Sequence, residues 1–185
     1  MPAATSGRES ATNANPNLQT TSKMKLQTLK DLYVHELKAL YSAEEQILEA
    51  LPKMVQATGN AQLAAAFQAH LEQTKEQANR LEKLLERHNQ STRGPRDKGM
   101  EGVLADGVEL LEGESGQGVR DAGLIAAAQR VEHHEMAGYG SALTYAEMLG
   151  DTEGARLLQT TLSEEAETDQ KLTEVAKSVI KAIFS

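Results

Sequence analysis

Glu132 and Glu135 stand three residues apart in the run Val131-Glu132-His133-His134-Glu135, inside an alanine-rich stretch from Asp121 to Leu149 that contains no proline. At that spacing two helical side chains are neighbours. The stripe Leu124, Ala128, Val131, Glu135, Gly138, Ala142, Tyr145, Leu149 marks the inward side of a packed helix, with a carboxylate at its centre. Carboxylates aimed into an apolar interior repel each other and lose their hydration. The cost is roughly several kcal/mol unless a cation, a proton or hydrogen bonds compensate. The chemistry this pair suggests is metal ligation, provided other helices bring ligands to the same level.

Three further amphipathic segments do so by spacing. The first helix is expected from about Met24 to Ala57, with a seam of Tyr33, Leu37, Leu40, Glu44, Ile47, Leu51 and Met54. Thr58-Gly59-Asn60 ends it and caps the next. The second runs from about Ala61 to His88, and its seam has a polar middle of His70, Thr74 and Gln77. A polar connection and a short helix, about Met100 to Leu111, lead to the Asp121–Leu149 helix. Gly150 ends that helix, and the last runs from about Thr152 to Ile183 with Leu158, Leu162, Glu165, Asp169, Leu172, Ala176 and Val179 in its seam.

Glu44 precedes the first hairpin turn, near residue 59, by 15 residues, and residue 74 follows it by 15. Glu135 and Glu165 flank the second turn, near residue 150, in the same way. All four seams thus carry polar residues roughly 22 Å from a hairpin turn at 1.5 Å rise per residue. The fold class that follows is an all-α, antiparallel four-helix bundle with a long crossover carrying a short extra helix. Its interior layer would gather Glu44, His70, Glu132, Glu135, Glu165 and Asp169 as metal ligands, with Thr74 and Gln77 beside them. Five carboxylates and one imidazole suit about two divalent ions, iron or manganese first and zinc as an alternative. Glu36 falls off this level, and His133 and His134 point off the seam towards surface or subunit-contact roles.

Composition limits the alternatives. Residues 1–22 hold hardly any large apolar side chain and are expected to be a disordered tail, with residues 23–185 forming the bundle domain. A formal net charge of −8 argues against direct binding to nucleic acid or anionic membrane. With no cysteine, thiolate chemistry and disulfides are excluded. No apolar run reaches the ~20 residues needed to span a bilayer. The expectation is a cytoplasmic protein.

The segments Leu40-Tyr-Ser-Ala-Glu-Glu-Gln46, His70-Leu-Glu-Gln-Thr74, Met100-Glu-Gly-Val103 and Ala122 to Glu135 resemble the bacterial YciE/YciF family of ferritin-like stress proteins. So do Ala137-Gly-Tyr-Gly140 and Glu164-Glu-Ala-Glu-Thr-Asp169. The resemblance covers roughly residues 24–180. It implies a ferritin-like bundle, usually a homodimer, induced in stress, with a dinuclear metal site and no established reaction. The chain departs from the usual di-iron pattern of a Glu-x-x-His pair on each of two helices: it has Glu132-x-x-Glu135 and Glu165-x-x-x-Asp169, with His70 the single inward histidine. Two functions follow. One is a metal-binding stress protein acting on peroxide or iron, with Tyr33, Tyr41, Tyr139 and Tyr145 as redox neighbours or as packing residues. The other is a non-enzymatic dimeric scaffold whose polar layer sets helix register, with the small-residue run Ala137–Ala142 at a subunit contact.

Overall fold

The computed structural model describes residues 25–183, so the expected tail, residues 1–22, lies outside the described residues. The elements are α1 (Leu29–Ala57), α2 (Ala61–Arg87), α3 (Lys98–Glu112), α4 (Gln117–Met148) and α5 (Thr152–Ile183). Among the described residues there is no strand. Helices α1 and α2 pack as one hairpin and α4 and α5 as the other. The hairpins join through α1 against α4 and α2 against α5, and α3 lies across α4 and α1.

Local chemistry sets the helix ends. Thr28, rather than a residue near Met24, starts α1: its hydroxyl accepts from Asp31 N (3.1 Å) and Asp31 Oδ2 accepts from Thr28 N (2.9 Å), a reciprocal capping box. Asn60 Oδ1 accepts from the backbone of Gln62 and Leu63 at the start of α2. Asp97 Oδ1 caps α3 through Met100 N. Helix α4 starts four residues before Asp121, because that carboxylate is spent elsewhere: it accepts from Gly59 N (3.2 Å) and Gln117 Nε2 (3.0 Å), tying the first turn to α4. At the other end Gly150 takes φ +71, the left-handed conformation that lets Asp151 N reach Ala146 O at 2.9 Å and closes α4.

The two hairpin turns lie at opposite ends of the bundle. The first sits against the start of α4 and the end of α5, since Gln117 Nε2 donates to Ala57 O and Gly118 approaches Ile183. The second sits against Tyr33, Arg87 and His88, which all bond Asp151. Equal distances from the turns therefore do not by themselves bring the polar slots to one level. They meet because each long helix carries its polar slot near its own midpoint, so direction does not matter. The slots divide the interior into two apolar clusters. One holds Ile47, Leu51, Phe67, Met100, Leu124, Ile125 and Leu172. The other holds Tyr33, Leu37, Leu81, Leu84, Tyr139 and Leu158.

Asp151 fastens one end of the molecule. Its Oδ1 accepts from Gly154 N (3.0 Å) and Arg87 Nη2 (3.1 Å), and its Oδ2 bonds His88 Nε2 (3.1 Å). Asp151→Ala removes a helix cap and the shared partner of three side chains, Tyr33, Arg87 and His88, together. It is expected to lower stability by about 1–3 kcal/mol, read as a fall in the urea midpoint at unchanged m-value.

Candidate metal centre

Heptad geometry turns one side of each long helix inward, and at mid-length that side is polar. Glu44 from α1, His70, Thr74 and Gln77 from α2, Glu132 and Glu135 from α4, and Glu165 from α5 are all buried. Four of them, His70, Glu132, Glu135 and Glu165, each place one ligand-type atom within 4.8 Å of all the others. Atoms bound to one ion at about 2.1 Å lie at most about 4.2 Å apart, so small side-chain rotations would close the set on a cation. His70 Nε2 lies 3.4 Å from Glu132 Oε1, a contact without hydrogen-bond geometry.

The hydrogen bonds around this set are incomplete. Tyr139 Oη donates to Glu44 Oε1, and Gln77 Nε2 donates to Glu165 Oε1. Gln77 Nε2 also reaches Glu164 Oε2 at 3.2 Å, and Glu164 is held by Arg80 Nη2 at 2.8 Å. Beyond these bonds, Glu44 Oε2, Glu132 Oε2, Glu165 Oε2, both oxygens of Glu135 and both ring nitrogens of His70 have no other donor among the described residues, while Glu44 with Glu135 and Glu132 with Glu165 form carboxyl pairs that can share a proton. Buried polar atoms are nearly always paired, and a convergent group of unpaired acceptors is what a cation site leaves when the ion is taken away. The donor set fits a divalent cation.

Asp169 is placed differently from the other expected ligands. Its side chain is 24% exposed, accepts from Gln129 Nε2 (3.0 Å) and lies 3.6 Å from the exposed His133. The reason is register. The buried seam of α5 steps 158, 161, 165, 168, 172, so Thr161 and Thr168 face inward while Leu162 and Asp169 sit one position to the side. On α4 the drift runs the other way: Tyr139 and Ala146 are buried, and Leu149 is exposed. Tyr139 is thereby placed against Glu44. Its position four residues after Glu135 puts it on the same face, but the partner on α1 is visible only in three dimensions. Tyr33 instead serves Asp151 at the end of the bundle. Glu36 is half-buried near Gly138, with Asp97 and His134 among its charged neighbours, and His134 pairs with Asp97 at 3.2 Å.

Burial dominates the titration of the layer. It raises the pKa of Glu44, Glu132 and Glu135 well above the usual carboxylate range, and neighbouring carboxylates add to the effect. Glu165 is pushed up to about 7, also by burial, although a hydrogen bond with Glu132, and then Gln77 and Arg80, pull it down. Burial lowers His70 to about 4. A neutral imidazole beside carboxyls that give up their protons on binding is the state a cation requires.

Comparison with known proteins adds the family. A family model described as a domain of unknown function, DUF892, matches residues 28–184. The chain belongs to the DUF892 family. It is 46% identical over 136 residues to Protein YciF of Escherichia coli, covering 73% of this chain and 82% of that protein. The crystal structure of the E. coli stress protein YciF superposes with a TM-score of 0.81 at 43% identity, covering 84% of this chain and 99% of the other. YcfI from Rhodopseudomonas palustris gives a TM-score of 0.79 at 36% identity, covering 82% of this chain and 96% of that one. The DUF892 chain is thus a homologue of a bacterial stress protein with the ferritin-like bundle fold that its motifs imply. No described helix is long and apolar enough to cross a membrane.

The pH response of the metal-free protein follows from these shifts. A carboxyl whose pKa is raised on folding stabilises fully below its unfolded value near 4.5, and that contribution is lost as pH rises through the folded value, about 7 for Glu165. His70 acts oppositely: its contribution is present above 6.5 and is lost as pH falls towards about 4. Several carboxyls outweigh one imidazole. In chelator the melting temperature is expected to fall between pH 5.5 and 8, and Glu135→Gln, which cannot ionise, is expected to flatten the slope. Differential scanning calorimetry across that range measures both. A melting temperature that rises to pH 8 in chelator would contradict the reading.

Proposed function

We propose that this chain is a cytoplasmic, homodimeric stress-response protein that holds a pair of divalent ions, iron or manganese, in the carboxylate layer, and that these ions serve in handling peroxide or iron. The observation that carries the proposal is the convergence of unpaired, fully buried acceptors from all four long helices. Oxygen-rich ligation with one nitrogen suits Fe(II) or Mn(II), with Zn(II) as a third candidate. The stress designation of the E. coli homologue supports the physiological setting.

In this reading His70, Glu132, Glu135 and Glu165 would hold one ion, and Glu44 would contribute to holding the second. Such ions supply redox or Lewis-acid chemistry at oxygen. The chain's own residues do the rest. Tyr139 orients Glu44 through its hydroxyl, and Gln77 orients Glu165. Arg80 pairs with Glu164 and offsets part of the repulsion that this carboxylate exerts on Glu165. The apolar clusters on either side exclude water and keep the carboxylates in a medium where their attraction for a cation is strong.

Elemental mass spectrometry on protein purified without chelator tests the proposal. About two equivalents of iron or manganese per chain are expected, reduced to about one or none in Glu135→Ala and Glu165→Ala. No metal after anaerobic loading with Fe(II) and Mn(II), together with a higher melting temperature for Glu135→Ala in both chelator and metal, would establish the scaffold reading instead.

A further inference from the structure

Two apolar voids lie between α1, α3 and α4, and they adjoin. The outer one, about 50 Å³, opens at the surface beside Lys53, Val103, Gly107, Val108 and Leu111. The inner one, about 10 Å³, is lined by Ile47 and Leu51 and ends on His70 and Glu132. Ala50, Met54, Leu104, Ala128 and Val131 line both. The two voids share a wall, and together they mark an apolar path in two segments from the groove beneath α3 to two residues of the carboxylate layer.

We propose that this path is the route by which a small apolar molecule of the dioxygen class reaches the layer. The inference rests on the metal-binding reading of the layer. The chemistry of the walls selects the passenger. An ion or a strongly hydrated molecule would have to shed its water against Leu, Val, Ala and Met side chains with nothing to replace it. A diatomic gas has no such cost, and dry apolar cavities take up weakly interacting guests such as xenon. The inner void is about the size of one water-sized sphere, so passage needs side-chain motion. Met54 and Leu104, unbranched at Cβ and lining both voids, can supply it. Ala128 lines both voids, so a larger side chain there would fill the space between them. The ions themselves must enter by another way.

The test uses the full chain, metal-free in chelator, under raised pressure of dissolved dioxygen, with methyl-proton relaxation as the readout. Relaxation at Ile47 and Leu51, which line the inner void, is expected to be enhanced at least about twofold over that at Leu81 and Leu84, which are similarly buried but lie in the other apolar cluster, as uptake into an apolar void requires. Ala128→Leu is expected to abolish the difference while leaving metal content unchanged, and in the iron-loaded protein to slow the loss of chelator-detectable Fe(II) on exposure to dioxygen. Should Ala128→Leu fail to fold, Ala50→Leu, at the other wall, provides the same block. Equal enhancement in both clusters overturns the route whatever the metal content. So does a blocked variant, correctly loaded, that reacts at the wild-type rate. Absence of metal from the wild-type protein with enhancement present would overturn the function proposed above and leave a gas-accessible cavity without the role assigned to it here.

Discussion

Everything in this bundle is arranged around carboxylates that water cannot reach. Glu44, Glu132, Glu135 and Glu165 are each 1% exposed or less. Bringing such groups together in an apolar medium is costly for the charged form, and the cost is met by protonation, by hydrogen bonds or by cations. Apart from proton sharing within the Glu44–Glu135 and Glu132–Glu165 pairs, the protein supplies few hydrogen bonds: one tyrosine hydroxyl and one glutamine amide serve four carboxyls. The deficit is the clearest chemical statement the molecule makes. It distinguishes the layer from an ordinary buried polar network, in which nearly every atom is satisfied.

The same deficit explains why the surrounding fold is so regular. A layer that destabilises the metal-free chain has to be carried by the rest of the core. Two apolar clusters do this from either side, each contributed by all four long helices. Large side chains such as Phe67, Leu124 and Tyr33 are almost fully buried, at roughly 1.5–3 kcal/mol of stabilisation for each aliphatic or phenyl group taken out of water. The crossover adds a lateral clamp. Gln46 Nε2 donates to Asp97 O (3.0 Å) and Asp97 N donates to Ser42 Oγ (3.0 Å), fastening the start of α3 to α1. With that end held, α3 covers the side of the bundle nearest His70.

The arrangement differs from a symmetric di-iron site in its nitrogen supply. One imidazole faces four carboxyls, and the position on α2 that lies nearest Glu165 is a glutamine that donates rather than ligates. Gln77 also links Glu165 to the half-exposed pair Arg80–Glu164, so the layer communicates with a charged surface group through one amide. Membership of DUF892 and the superposition on YciF place the fold and the family firmly, while the reaction has to be argued from these side chains.

The sequence by itself determined the helices and their number, because a seven-residue apolar rhythm has one helical solution and Gly, Asn and Thr mark the turns, although the starts of α1 and α4 lie about a turn from the expected residues. It also determined that acids stand at the middle of the seams. Glu44, His70, Glu132, Glu135 and Glu165 could be named without coordinates, since each lies on a rhythm set by apolar neighbours on both sides. Tertiary structure decided what a rhythm leaves ambiguous by one position. A seam advancing by three or by four residues places either Thr168 or Asp169 inside, and only packing of α5 against α2 and α4 selects Thr168. It decided the end-to-end order of the hairpins, which the turn distances alone do not give. It decided that Tyr139 bonds Glu44 across 95 residues of chain, a pairing with no local signal. Those outcomes depend on which helix faces which, and that is settled by the packing of side chains distant in sequence.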